Sequence, residues 1–206
     1  RGPQNANGGH NLMAREIVKD IALKLGNAIA MPVLPFTPNQ ASADMPGTIG
    51  LTNELLEGVL ERIAEQTITN GFKNVVLMGD HGGGQAGPTN VYAAVAKKLD
   101  AKYGALGVHV FYCDQVYMPA NNEFDKQTEK EGYPQSMHGG LSDTSLMLYL
   151  DKDGTWTRKN EMHNAIGIPV VDGKPQMNDP KAVKNGIVGD GRRSTPELGK
   201  RLLDLK

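Results

Sequence analysis

Three histidines stand beside glycines at junctions between loops and regular structure. His10 ends the opening run RGPQNANGGHN, His81 lies in GDHGGGQ after an apolar stretch, and His138 lies in MHGGLSD before a helical pattern. Asp80 directly precedes His81, and Asp143 follows His138 within the next helical turn and a half. Imidazoles bind divalent metals and exchange protons near neutral pH, and carboxylates assist both tasks. The pattern indicates one site, provided that folding brings the three loops together.

A plainer interpretation of the same residues stays open. A glycine-rich turn before a helix is often only a turn, and an Asp-His pair can be a helix cap beside a surface imidazole. The remaining histidines differ from these three. His109 lies inside an apolar strand pattern and is predicted to be a packed, hydrogen-bonded imidazole, whereas His163 lies in a polar stretch.

Alternating strand and helix patterns define the elements that must position these loops. Parallel strands need crossover helices, so this order predicts a three-layer α/β/α fold with a mostly parallel sheet, in a single domain. Ligands of such sheets bind at the carboxyl ends of the strands, where Asp80 and His81 stand. Two long loops, 37–50 and 114–140, are predicted to serve a site or an interface. The predicted helices are 11–25, 53–69, 89–103, 142–150 and one from 195, and the predicted strands are 28–34, 74–78 and 108–113.

Composition excludes several classes of protein. The 206 residues carry a net charge of -1 without blocks of like sign, so neither nucleic acid nor an anionic membrane surface is an expected partner. The longest uncharged apolar stretch, 28–36, contains two prolines and is about half the length that a bilayer-spanning helix needs. Cys113 is the only cysteine, which excludes an intrachain disulfide and a cysteine zinc cluster.

A nucleotide-binding function competes for the same glycine-rich turn. Gly82, Gly84 and Gly87 satisfy the G-x-G-x-x-G pattern between a strand and a helix, and Asp114 closes the next strand where an acid could bind a ribose. Residues 79–81 nevertheless separate the first glycine from the strand, and the carboxylate among them would repel a pyrophosphate. The pattern alone is weak evidence for nucleotide binding.

Five segments in order along the chain resemble the creatininase family. The resemblance is closest to a poorly characterised, often exported branch with a Gly-x-His-Asn motif. It implies an α/β/α fold, a hexameric assembly and a metal-dependent hydrolase of non-peptide C–N bonds in small cyclic amides. The segments are GPQNANGGHN at 2–11, PGTIGL at 46–51, NVVLMGDHGGGQ at 74–85, HGGLSDTSLML at 138–148 and GIVGDGRRSTPELGKRLLD at 186–204.

The resemblance also assigns roles to individual residues. The implied metal is zinc, with manganese or iron as alternatives, and the implied partners are a small amide substrate and further copies of the chain. The metal-binding residues are His10 and His81. The catalytic residues are His138 as proton donor and Asp143. Asp80, which takes the place of the family's usual Gly, is predicted to be a further catalytic residue, and Gln4, Gln85 and Tyr117 are predicted to bind substrate.

This chain departs from the family pattern at several positions. Arg1 takes the place of a His or Asn, and Gly83 takes the place of an acid that some members use as a metal ligand. The family's metal-binding glutamate and its first strand would precede residue 1, so we predict a creatininase-like domain over 1–206 that lacks this strand and holds one metal rather than two. Two alternatives remain: an inactive member that binds a small molecule or a partner, and a nucleotide-binding domain. The resemblance is consistent with a periplasmic or secreted protein. Without that resemblance, a cytoplasmic location is expected.

Overall fold

A computed structural model describes residues 1–85 and 89–206. The chain divides into two compact units, which are described separately. The first unit comprises Arg1–Val33 and Met118–Lys206, and the second comprises Leu34–Tyr117. None of the described helices is long and apolar enough to cross a membrane.

The second unit contains a parallel strand pair with two helices packed against it. Strand β1 (Asn74–Leu77) pairs in parallel with β2 (His109–Tyr112), so that Asn74 lies opposite His109 and Leu77 opposite Tyr112. Helix α2 (Asn53–Thr69) precedes β1, and helix α3 (Val91–Tyr103) makes the crossover that parallel strands require. Their buried faces and Val110 of β2 form one apolar core.

Helix α2 shows why the sequence folds in this way. Thr52 caps its first turn, because the Thr52 hydroxyl accepts a hydrogen bond from the Leu55 N–H at 3.3 Å. Leu56, Leu60 and Ala64 follow at the spacing that places side chains on one helix face, and all three are buried in the core. Burial of each leucine contributes about 1.5–3 kcal/mol.

The first unit is mainly helical. Helix α5 (Leu141–Leu150) is its central element and packs against α1 (Gly9–Leu25), α4 (Met118–Lys130) and α6 (Pro196–Leu205). Strands β3 (Val170–Val171) and β4 (Lys174–Pro175) form a short antiparallel hairpin. Because α5 directly follows the loop that carries His138, this packing fixes the position of the loop.

The predicted α/β class is confirmed, and seven predicted elements are observed with small shifts of their ends: α1, α2, β1, α3, β2, α5 and α6. The predictions for two stretches were wrong. Residues 28–34 form no strand and are mostly exposed, and Pro32 lacks the N–H that a sheet ladder needs. The stretch 114–140, predicted to be irregular, contains α4, whose buried face consists of Ala120, Phe124 and Thr128. For His109 the predicted hydrogen bond is confirmed, since Nδ1 lies 3.1 Å from Asp100 Oδ1, but the predicted packing was wrong, because the residue is exposed.

Candidate functional site

The eight residues that the sequence assigns to a site fall into two groups, one in each unit. All four members of each group lie within a single unit. The first group consists of Gln4, His10, His138 and Asp143, and the second consists of Asp80, His81, Gln85 and Tyr117.

Asp143 is the centre of the first group. Its Oδ2 accepts a hydrogen bond from the Gly139 N–H at 2.7 Å and lies 3.5 Å from Nη1 of Arg1, while its Oδ1 lies 4.0 Å from Nε2 of His10. Burial alone would raise the pKa of Asp143, but the charge of Arg1, together with the charges that His10 and His138 carry when protonated, outweighs burial and holds that pKa well below its usual range. The carboxylate is therefore ionised at neutral pH.

The hydrogen bonds of His138 fix the orientation of its ring. Nδ1 lies 2.8 Å from the carbonyl oxygen of Gly186. A carbonyl can only accept, so Nδ1 carries the hydrogen and Nε2 of the neutral ring keeps its lone pair. Burial lowers the pKa of His138 further than the nearby Asp143 raises it, which favours this neutral form. His138 thus presents a proton acceptor at Nε2.

Gln4 supports the turn between His138 and α5. Its side chain is fully buried, and its amide group donates to the Gly139 carbonyl at 2.8 Å and to the Thr144 hydroxyl at 3.0 Å. Gly139 adopts a left-handed conformation with a φ of 64°, which residues with a Cβ rarely adopt. Through these contacts Gln4 holds in place the turn whose Gly139 N–H binds Asp143. Its predicted contact with substrate stays a prediction.

In the second group, the ring of His81 is held by its own turn. Nδ1 accepts a hydrogen bond from the Gly83 N–H at 2.9 Å and lies 3.1 Å from Oγ1 of Thr37. A ring that accepts at Nδ1 carries its hydrogen on Nε2. Nε2 of His81 could bind a metal ion only after the ring hydrogen moved from Nε2 to Nδ1, and Nδ1 could then no longer accept the hydrogen bond from Gly83.

The other three members of this group pack around the same turn. Gln85 is buried and donates to the carbonyls of Gly79 and His81, while its Oε1 accepts from the Tyr112 hydroxyl at 3.1 Å. Asp80 is also buried, with 6% of its surface exposed. Tyr117 lies over the turn, since a methyl group on Gly82 would come within 2.8 Å of its hydroxyl. Substrate contacts of Gln85 and Tyr117 and a catalytic role of Asp80 stay predictions.

Position 83 has no room for the acidic side chain that some family members carry there. A Cβ at this position would collide with the carbonyl oxygen of Pro38. The turn therefore has no space for a side chain here, which gives a physical reason for this departure from the family pattern.

We expect Gly83→Ala to lower the free energy of unfolding by about 1–3 kcal/mol, because the turn must move to accommodate the methyl group. Gly58→Ala is the matched control. Gly58 lies on the exposed side of α2 with no atom within 4 Å of the position that a Cβ would take, and we expect this change to stabilise the chain by about 0.5–1 kcal/mol. Urea unfolding of both variants measures the difference, and equal effects would contradict the crowding at Gly83.

The donor atoms of the first group fit a single divalent ion better than two. Nε2 of His10 and Oδ1 of Asp143 face each other across 4.0 Å, but the other carboxylate oxygen is already occupied by Arg1 and Gly139. Across residues 1–85 and 89–206, no three His, Cys, Asp or Glu side chains are grouped so that they could hold a metal. An ion held by His10 and Asp143 would take its other ligands from water or from residues outside this group.

One feature of the site was only partly anticipated from the sequence. Arg1 was noted as a departure, but its ion pair with Asp143 was not predicted, since 142 positions separate the two residues. Its side chain is 8% exposed, and within the described residues its Nη2 has no partner. Gly87 of the competing nucleotide-binding pattern lies outside the described residues.

Comparisons with known proteins agree on one family. The family model for creatininase, described as creatinine amidohydrolase, matches residues 1–205. No curated protein matches the chain.

Solved structures of creatininases share the fold of this chain. A Glu-to-Gln mutant creatininase complexed with creatine is 22% identical with a TM-score of 0.72, and the match covers 99% of this chain and 82% of that one. A manganese form is 19% identical with a TM-score of 0.72, covering 99% and 81%. A mutant of the Zn-Zn type is 20% identical with a TM-score of 0.70, covering 99% and 81%. At these identities the likeness establishes the fold, and function must be argued from the site.

Proposed function

Because the chain belongs to the creatininase family, we propose that it hydrolyses a C–N bond of a small cyclic amide. The observation that carries this proposal is the ring of His138, which is held by Gly186 with its proton-accepting nitrogen available beside an ionised Asp143. Such an imidazole can act as the acid and base of amide hydrolysis at neutral pH.

The reaction needs two proton movements, and His138 can perform both. As water adds to the amide carbonyl carbon, Nε2 takes the proton that the water releases. When the C–N bond breaks, the same nitrogen returns that proton to the departing nitrogen, and His138 is neutral again. Asp143 stabilises the charged imidazole between these movements, and Gly139 and Arg1 hold the carboxylate in place.

We include one divalent ion in the proposal, zinc or manganese, as in two of the matched creatininase structures. His10 and Asp143 would hold it, and His81 stays a predicted further ligand. When bound, such an ion supplies a Lewis acid that makes the attacking water more acidic and polarises the amide carbonyl.

We expect the chain, purified without chelator, to retain about one divalent ion, and His10→Ala to weaken its binding at least about 10-fold, because one of few donors is lost. His81→Ala measures in the same way whether His81 is also a ligand. His163→Ala removes an exposed imidazole and serves as the control. Elemental analysis and metal titration give the content and affinity, and a wild-type chain without transition metal above background would overturn the metal part of the proposal.

The hydrolase activity itself is tested with a panel of small cyclic amides that includes creatinine. Ring opening of at least one amide, followed by the appearance of the product, supports the proposal. The second candidate, an inactive member that binds a small molecule, is favoured by Gly83, which stands where some family members have an acid that serves as a metal ligand. Saturable binding of an amide without turnover by the metal-loaded chain would establish this alternative.

The proposals for assembly and domain extent are based on family membership. A periplasmic or secreted location stays a prediction. We propose a homo-oligomer, with a hexamer as the form that the family suggests, and one creatininase-like domain over 1–206. Light scattering at micromolar concentration measures the assembly directly, and a stable monomer would count against it.

A further inference from the structure

Helix α2 carries a second apolar stripe on the side that faces away from the core of its unit. Leu55, Val59 and Ile63 follow one another at intervals of four residues, and 57%, 36% and 37% of their surfaces are exposed. Residues four apart lie on the same side of a helix, so these side chains form a continuous strip about 12 Å long. The exposed side of a surface helix is normally polar. The outer stripe, as we call these three residues, is therefore typical of a helix face that a partner covers.

The charged residues beside the outer stripe differ in how they are paired. Glu61 pairs with Lys98 of α3, and Glu65 lies 2.7 Å from the ammonium of Lys102 on the same helix. Arg62 is exposed, and in the part of the chain that the structure describes it forms neither a hydrogen bond nor an ion pair. Its charge is only the last of the causes that lower the pKa of Glu65. The guanidinium of Arg62 is thus available to an acid on a partner.

Glu54 supplies such an acid at the other end of the outer stripe. It is exposed, and within the described residues it has no cation as a partner. Its hydrogen bonds are local: its own backbone N–H and the Thr52 hydroxyl lower the pKa of Glu54, which is therefore ionised at neutral pH. The outer stripe accordingly has an available anion near its first residue and an available cation near its last.

This arrangement of charges makes the outer stripe complementary to itself. Along the helix axis, Glu54 lies about 7.5 Å from Val59 toward one end, and Arg62 lies about 4.5 Å from Val59 toward the other end, on the same side of the stripe. When two copies pack antiparallel with their Val59 residues facing, Arg62 of each copy comes within about 3 Å, measured along the axis, of Glu54 of the other. A parallel pair would instead place like charges beside each other, which is unfavourable. The charges therefore favour a symmetric, antiparallel pair of helices.

We propose that the outer stripe is an interface at which α2 packs antiparallel against α2 of a second copy of this chain. Family membership suggests a homo-oligomer without locating an interface, and this inference assigns the surface through which two copies meet. The apolar side chains of both stripes form the centre of the contact, and two pairs of Glu54 with Arg62 lie at its rim.

Sedimentation or light scattering over a series of concentrations tests the interface with two variants. We expect Val59→Asp to weaken the association of two copies at least about 10-fold, because it removes an apolar side chain from the centre and places a charge there. We expect Arg62→Glu to weaken it about 10-fold, because two acids then face each other. Leu106→Asp is the matched control, since Leu106 follows α3 in the same unit, is 72% exposed and lies outside the outer stripe. It should leave the assembly unchanged.

A charge swap tests the antiparallel arrangement itself. Glu54→Arg alone should weaken association as Arg62→Glu does, whereas the double variant with both changes should restore it, because each pair regains opposite charges. A double variant that associates no better than the single ones would contradict this arrangement.

The proposal is overturned if Val59→Asp and Arg62→Glu associate as tightly as wild type. Circular dichroism checks that Val59→Asp is folded, and the variants of the exposed residues Glu54 and Arg62 give the answer if it is not. A multimer that none of these changes affects would contradict only this interface, whereas a monomeric wild-type chain would contradict the proposed assembly as well. Hydrolysis of the amide panel tests the proposed activity separately from either outcome.

Discussion

Asp143→Asn is expected to lower the free energy of unfolding by about 3–5 kcal/mol, the cost of breaking a buried ion pair from one side. The guanidinium of Arg1 would keep its place at 8% side-chain exposure without the negative charge that now lies 3.5 Å away. The variant side chain is nearly identical in shape, so the loss arises from charge rather than from packing. Urea or thermal unfolding at neutral pH measures the effect.

The control for this variant is Asp204→Asn, which removes a carboxylate from an exposed ion pair with Lys200 on α6. Water screens that pair, and we expect no measurable change in unfolding. If Asp143→Asn were as stable as the control, the Asp143 charge would not be needed by its neighbours. The role of Asp143 as the anchor of Arg1 and of the Gly139 turn would then be wrong.

The predictable part of this fold is the part in which apolar residues repeat at helical spacing. Apolar residues that recur over 53–69 predicted α2. Of these, Leu56, Leu60 and Ala64 are buried in the core, whereas Leu55, Val59 and Ile63 are exposed. The sequence did not predict helix α4, because its buried face contains only one large apolar residue, Phe124, between Ala120 and Thr128. Periodicity of hydrophobicity detects a buried face only when several of its residues are apolar.

The chemistry of the site was predictable in residue type but not in arrangement. Glycines beside His10, His81 and His138 marked loops that could carry functional groups. The tautomers of the rings depend on contacts that no local pattern contains: Gly186 lies 48 positions from His138, and Thr37 lies 44 positions from His81. The same holds for Arg1 and Asp143, whose pairing requires the packing of α5 in the first unit.

His138→Ala is expected to lower the turnover of a small cyclic amide by about 10²- to 10⁴-fold, the usual contribution of a general acid or base. The physical reason is the loss of Nε2, the one ring nitrogen that Gly186 leaves available to take and return a proton. Steady-state kinetics on an amide that the wild-type chain hydrolyses measures the change, with metal content determined in parallel.

His138→Asn separates this chemical role from a structural one. Its amide N–H₂ can still donate to the Gly186 carbonyl, as Nδ1 does at 2.8 Å, but it offers no group that exchanges protons near neutral pH. If His138 is the acid and base, the Asn variant should be as stable as wild type and as inactive as His138→Ala, while the exposed-site variant His163→Ala stays active. Full activity of His138→Asn would show that the ring only holds the loop against Gly186, and proton transfer would then have to be assigned to another group.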